Sequence, residues 1–149
     1  NMCRSPMAEY LFTADAGRDA SWLACSAGTD AGEGMPATQQ AVEAMAERGI
    51  DVTRHRSRPL SRELVDSSDL VVVMTQSHAS RILWRFPDAA PKVRLLKSFL
   101  PEVHAEDLDV PDPIGLSSVV YAAIRDLMSE AMPEIMNVLR LMDRQHKRG

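Results

Sequence analysis

The sequence predicts an α/β domain in three layers, with a short, mainly parallel sheet flanked by helices. Three observations predict it. Short uninterrupted apolar runs, Leu70-Val71-Val72-Val73-Met74 above all, have the β-branched content and lack of charge of strands covered on both faces. They alternate with stretches whose apolar residues recur every three to four positions, as on amphipathic helices. The chain also opens on Asn1-Met2-Cys3-Arg4-Ser5-Pro6, a loop turning into a helix, and folds of this class bind ligands where strands end and helices begin.

From Pro6 to about Asp19, Met7, Leu11, Phe12 and Ala16 keep helical spacing, with Ser5 as the cap and Gly17 near the end. Trp22 to Ala27 is a compact apolar run stopped by Gly28, read as a strand of the buried sheet with Cys25 in the core. Asp30 to Pro36 is loop. Thr38 caps a second helix with Ala41, Val42, Met45 and Ala46 on one face, and Gly49 follows where a left-handed C-terminal residue is expected. Ile50-Asp51-Val52 has room only for a brief strand. His55-Arg56-Ser57-Arg58 is a basic loop, and Ser61 caps a short helix through about Val65.

Leu70 to Met74 is the clearest strand. A helix from about Ser77 to Phe86 turns Ile82, Leu83 and Phe86 inward and stops before Pro87. Val93 to Leu96 is another short strand. Lys97 to Leu116 is a long loop carrying Pro101, Pro111 and Pro113, with Asp107 and Asp109 read as solvated; loops of that size are usually functional or disordered. Ser117 to about Arg144 is a helix with Val119, Val120, Ala123, Ile124, Leu127 and Met128 on its apolar side, kinked or divided at Pro133, and Gln145 to Gly149 is a frayed tail. Met7, Met45, Met128, Met132 and Met136 read as core filler.

At 149 residues the chain fits one domain, long enough to bury roughly two thirds of its unfolded surface. A formal charge of -4 with scattered Lys and Arg residues gives no basic stripe for nucleic acid. Two cysteines, Cys3 and Cys25, without Cys-x-x-Cys spacing or a Cys/His cluster, argue against a metal site or a disulfide scaffold and suit a reducing cytoplasm. No apolar run approaches the length of a membrane span. The oligomeric state is not readable from the chain.

The opening stretch carries chemistry. Backbone N–H groups and the positive end of a helix dipole attract an anion, and Arg4 adds a fork matched to phosphate oxygens. Ser-Pro also opens many purely structural helices, and these residues alone leave both readings open. Asp112 stands in Pro111-Asp112-Pro113-Ile114-Gly115, which alone reads equally as a rigid turn. His55 reads as a structural or surface residue beside Arg56 and Arg58, while His78, His104 and His146 have no evident partners.

Asn1-Met2-Cys3-Arg4-Ser5-Pro6-Met7-Ala8-Glu9 closely resembles the second half of the signature of low-molecular-weight protein tyrosine phosphatases, Cys-x-Gly-Asn-x-Cys-Arg-Ser-Pro-Met-Ala-Glu. Ser26-Ala27-Gly28-Thr29, Gly34-Met35-Pro36-Ala37, Gly49-Ile50-Asp51, His55-Arg56-Ser57-Arg58, Asp69 through Met74 and Asp112-Pro113 look like further landmarks, in the family's order. The resemblance implies a phosphatase I-like fold, Rossmann-like or flavodoxin-like in its layering. It also implies metal-independent, cofactor-free hydrolysis of phosphate monoesters on proteins, with phosphorylated proteins or peptides as substrates and inorganic phosphate as product. A cysteine thiolate at a helix N-terminus, its pKa lowered by dipole, arginine and hydroxyl, attacks phosphorus and becomes a phosphocysteine.

By this resemblance Asn1, Met2, Cys3, Arg4 and Ser5 form the phosphate loop, with Arg4 on the equatorial oxygens, Ser5 bonded to the thiolate and Asn1 holding the loop. Asp112 protonates the leaving oxygen and later accepts a proton from water. The family spacing, five residues between nucleophile and arginine, puts the nucleophile upstream of Asn1, in a Cys-x-Gly directly before it. Cys3 corresponds to the second cysteine of the signature, which in some members forms a reversible disulfide with the nucleophile. The family also places its first strand, mid-sheet, in that upstream segment, so residues 1–149 are expected to be one N-terminally incomplete domain.

Met2 stands where the tyrosine-directed branch commonly has a bulky apolar residue and the arginine-phosphate branch commonly has Thr, which favours an aryl phosphate. Against it, Ile114 stands where many tyrosine-directed members have an aromatic residue after Asp-Pro, so stacking on the substrate ring is partly lost; arsenate reductases on this scaffold need further redox cysteines after the Leu70–Met74 strand, and none occurs there. Phosphotyrosine-protein phosphatase is therefore the first reading and protein-arginine phosphatase the second. A phosphate-binding module without catalysis is the third, should the upstream thiol be lacking.

Overall fold

The computed structural model describes residues 3–17 and 21–149. The element order is α1 (Arg4–Ala16), α2 (Gln39–Ala46), α3 (Arg62–Ser67), β1 (Val71–Val73), α4 (Gln76–Arg85), β2 (Val93–Leu95) and α5 (Ser118–Arg148), with 3-10 turns at Pro87–Lys92 and Leu96–Phe99. β1 and β2 are parallel, with Val71 opposite Val93, Val72 opposite Arg94 and Val73 opposite Leu95. The crossover through α4 is the short βαβ unit that a parallel pair requires.

The strand alternation divides the interior into two layers. Val72 faces the larger core, built from Met7, Leu11 and Phe12 of α1, Ala41, Ala44 and Met45 of α2, and Tyr121, Ile124, Met128, Met132, Ile135 and Met136 of α5. Val71 and Val73 face the smaller one, with Val65 of α3 and Ile82, Phe86 and Ala89. Leu70 to Met74 is thus covered on both faces, as its lack of polar residues predicts. The five methionines assigned to filler are all buried. Among the described residues no helix is long and apolar enough to cross a membrane.

Local signals are met where a side chain is free to act. Thr38 accepts from the Ala41 N–H at 3.3 Å, Ser61 from Leu64 at 3.2 Å, and Thr75 from His78 at 3.1 Å, each one a cap. Gly49 takes φ +70°, a left-handed value that L side chains rarely adopt, as expected after α2.

Other expectations are corrected. α1 starts at Arg4 with Cys3 in the cap position, so Ser5 lies inside the first turn and caps nothing from outside it. The end foreseen near Asp19 falls outside the described residues. Ser21 to Ala27 forms no strand, because its backbone finds no ladder there; Leu23 is 96% exposed and Cys25 is exposed rather than core. A parallel bridge between Gly28 and Pro59 ends the segment. Ile50 to Val52 forms no strand, although Val52 is fully buried. In α2 Ala44 is buried and Ala46 exposed.

α5 neither divides nor stops at Arg144. It continues through Pro133 to Arg148, because Pro133 sits on the exposed side while Met132, Ile135 and Met136 hold both flanking turns in the core. Val119 and Ala123 are exposed, and Tyr121 and Arg125 take the inward places. Arg125 can be buried because Nη1 donates to the Ala44 carbonyl at 2.6 Å and to Glu47 at 2.6 Å, and Nε to Asp126 at 2.9 Å. Those bonds fasten α2 to α5.

Candidate active site

α1 begins at Arg4 with Cys3 in the cap position and, among the described residues, no side chain caps it. Its first N–H groups are therefore donors in want of an acceptor. Cys3, Arg4 and Ser5 line one end of a cavity of about 780 Å³, which runs between the Ser21–Ala31 stretch and Leu70–Met74 and includes His78, Asp112 and Ile114. Here the positive end of α1 and the Arg4 guanidinium face the same space.

Opposite Arg4 lies the loop from Leu100 to Ser117, irregular but tied down. Val110 is fully buried, and its N–H donates to the Met74 carbonyl, just past β1, at 2.8 Å. Its own carbonyl accepts from Arg4 Nη1 at 2.7 Å. Pro113 is buried, and the Leu116 N–H returns to its carbonyl at 2.8 Å, closing a turn in which Gly115 takes φ +76°. Between these two buried pegs Asp112 is held outward, 55% exposed, with Oδ2 3.9 Å from Arg4 Nη2 and Oδ1 accepting from the Ile114 N–H at 3.1 Å. A carboxyl group that can exchange protons with solvent thus stands beside a cation that can hold an anion.

A buried polar chain supports the floor. Thr38 Oγ1 donates to Tyr121 Oη at 3.2 Å, and Tyr121 Oη lies 3.3 Å from Cys3 Sγ. Thr38 Oγ1 also lies 3.8 Å from Cys3 Sγ, so the two hydroxyls and the thiol form one buried cluster. Burial, then the Cys3 hydrogen bond, push the Tyr121 pKa upward, so it stays a phenol. Behind α1, Ser26 Oγ donates to Glu9 Oε2 at 2.5 Å, and the buried His55 approaches the same oxygen with Nδ1 at 3.9 Å. His78 lines the cavity; burial, then the Arg4 charge, push its pKa down, with Asp109 and Asp112 acting in the opposite sense.

The sequence family described as "Low molecular weight phosphotyrosine protein phosphatase" matches residues 1–147. The chain belongs to this family. It is 39% identical over 141 residues to a protein-arginine-phosphatase of Bacillus subtilis, covering 94% of this chain and 91% of that one. It is 43% identical over 121 residues to a low molecular weight protein-tyrosine-phosphatase of Streptomyces coelicolor, covering 76% and 72%. Among solved structures, a low molecular weight protein tyrosine phosphatase from T. tengcongensis superposes with TM-score 0.84 at 36% identity over 92% of each chain. An arginine phosphatase, YwlE, with its active-site cysteine changed to a phosphorylated serine, superposes with TM-score 0.85 at 39% identity, covering 94% and 90%. The family has the Rossmann-like layering seen here, its members are enzymes, and phosphoproteins are their substrates.

Of the residues the phosphatase signature singles out, the structure brings Arg4, Ser5, Cys3 and Asp112 to one end of one cavity. Asn1 and Met2 lie outside the described residues. Asp107 and Asp109, read as solvated, are not idle. Asp107 Oδ1 pairs with the buried Lys97 at 2.9 Å, and Asp109 Oδ1 accepts the Gln76 N–H at 2.8 Å. Tyr121, Thr38 and His78 were also missed as site residues. Tyr121 had one available signal, a hydroxyl on a stripe of apolar positions, since a buried phenol needs a partner. His104 and His146 lie away from the cavity lining.

Proposed function

We propose that this protein hydrolyses phosphotyrosine on proteins through a phosphocysteine, releasing inorganic phosphate, with no metal in the mechanism. The observation that carries the reading is the convergence of the uncapped start of α1, Arg4 and Asp112 on one cavity end. Arg4 and the first-turn N–H groups bind the equatorial phosphate oxygens and the charge they gain in the transition state. Ser5 orients the thiolate. Asp112, exposed and beside Arg4, protonates the leaving phenol oxygen, then takes a proton from the water that opens the phosphocysteine. The YwlE variant with a phosphorylated active-site serine supports a covalent intermediate on this scaffold.

The nucleophile in this reading is the cysteine of a Cys-x-Gly directly before Asn1. Cys3 is supported as its redox partner rather than its substitute, being buried with its sulfur turned toward Tyr121. The cavity supports an incoming strand as well. It is walled by two stretches, Trp22–Ala27 and Leu70–Met74, and floored by Met132, Ile135 and Leu139, surroundings that would suit a buried parallel strand leading into the loop. Residues 1–149 then belong to a single domain completed by that strand. Any other residue at the nucleophile position of the encoded protein would leave only a phosphate-binding module. A cytoplasmic setting, which keeps thiols reduced, suits this chemistry.

Protein-arginine phosphatase is the second reading, favoured by the arginine phosphatases that match over nearly their whole length. Against that second reading, Ile114, half exposed just after Asp112, leaves an apolar edge at the cavity mouth for a phenyl ring, though without the stacking that an aromatic residue would add. Single-turnover hydrolysis of matched phosphotyrosine and phosphoarginine peptides by the full-length protein decides between them. Faster phosphotyrosine cleavage is expected; faster phosphoarginine cleavage reverses the order.

A further inference from the structure

The loop that carries Asp112 is long, proline-rich and without regular structure, yet a proton donor must be held to a fraction of an ångström. Its anchors are unequal. Val110 and Pro113 are buried pegs, and Lys97 holds Asp107 well before the acid. Asp109 sits one residue before Val110, and its Oδ1 accepts the N–H of Gln76, the first residue of α4, at 2.8 Å. Thr75 meanwhile satisfies the His78 N–H. The free donors at the start of α4 are thus shared between its own cap residue and a residue reaching across from the acid loop. Val110, the residue next to Asp109, is bonded on both sides, its N–H to the Met74 carbonyl and its carbonyl to Arg4.

We propose that Asp109 is a positioning residue for proton donation: by gripping the start of α4 it sets the backbone of Val110 between Met74 and Arg4, and through it the reach of the Asp112 carboxyl toward the group Arg4 holds. This rests on Asp112 as the acid. The sequence Asp109-Val110-Pro111-Asp112 then reads as hook, peg, spacer and acid. A carboxylate at a helix start also stabilises the helix, so loss of stability alone does not distinguish positioning from simple capping. Dependence on the leaving group does.

In the full-length protein, kcat/KM is measured for aryl phosphates whose phenols run from strongly acidic to tyrosine-like. An acidic phenol leaves without help, whereas a tyrosine-like phenol needs the proton. A displacement of about 1 Å can cost on the order of 10²-fold, so Asp109→Ala should lose roughly ten- to a hundredfold on the tyrosine-like phosphate and under about threefold on the most acidic one. Inhibition by inorganic phosphate should stay within about twofold, because the anion cradle is untouched. Asp109→Asn keeps an acceptor oxygen and should restore most of the rate on the tyrosine-like phosphate, bringing the dependence on the leaving group back down toward that of the parent. Gln76→Pro deletes the donor at a helix position where proline is tolerated, so it should reproduce the Asp109→Ala profile, and the double variant should be no worse than either.

Equal losses on every phenol, or additive losses in the double variant, overturn the proposal. An Asp112→Asn variant sorts the failures. If it is selectively defective on tyrosine-like phenols while Asp109→Ala is not, the positioning inference alone falls. If Asp112→Asn is not selectively defective, the acid assignment falls and takes the inference with it.

Discussion

Asp112→Asn separates acid catalysis from anion binding because the carboxylate touches the two in opposite ways. Oδ2 lies 3.9 Å from Arg4 Nη2 and the side chain is 55% exposed, so solvent screens what it does to a bound anion. Two unit charges 4 Å apart in water interact by only about 1 kcal/mol. Deleting the negative charge should therefore tighten inorganic phosphate by about two- to fivefold at low salt, and by less at high salt. Losing the acid should lower kcat/KM on a phosphotyrosine peptide by roughly 10² to 10⁴. The assay pairs initial rates on the full-length protein with competitive inhibition by phosphate at two ionic strengths. Phosphate affinity that collapses together with turnover would mean that Asp112 builds the cradle, and unchanged turnover would remove it from the chemistry.

Two further outcomes test the floor and the mouth of the site. Tyr121→Phe strips the hydroxyl that links Thr38 to Cys3 in a buried place, which should cost about 1 to 2 kcal/mol and lower Tm by roughly 2 to 8 °C; no loss in thermal unfolding would sink the relay. For His78 the folded pKa lies below the ordinary value near 6.5, so below that pH the unfolded chain binds the proton more readily and stability falls with acidity. His78→Asn should gain stability relative to the parent as urea unfolding is moved from about pH 7.5 to 5.5, while the two stay parallel above about pH 7. A difference that does not change over that range would show that His78 is not held neutral.

What was legible in the sequence follows the range over which each signal acts. Thr38, Ser61 and Gly49 act on backbone groups within four residues, and each does what its chemistry dictates. The run Leu70 to Met74 says that both faces are covered without saying by what, and two separate cores supply the answer. Trp22 to Ala27 misled because apolar composition reports only the wish to be buried, whereas a strand also needs a neighbouring backbone, which the described residues do not provide. Pro133 does not divide its helix because a proline on the exposed side gives up one hydrogen bond while the turns on either side keep their packing. Arg4 and Asp112 were recognisable only through a signature, since 106 residues separate Arg4 from the Val110 carbonyl it bonds.

The acid loop shows why its other carboxylates were misread, and the reason bears on mechanism. Asp107, Asp109 and Asp112 look alike in sequence, and each is exposed. Their partners set them apart: a buried ammonium for Asp107, a helix N–H for Asp109, and for Asp112 no bond tighter than its own turn and the 3.9 Å approach to Arg4. Two are committed to holding the loop, which leaves the third free to exchange a proton. Arg4 makes the same division within one side chain. Nη1 is engaged by the Val110 carbonyl, and a guanidinium has five N–H donors, so the loop and a phosphate can be held at once. A lysine in its place would offer a point charge without the fork, and whichever partner it took would leave the acid and the anion no longer referenced to each other.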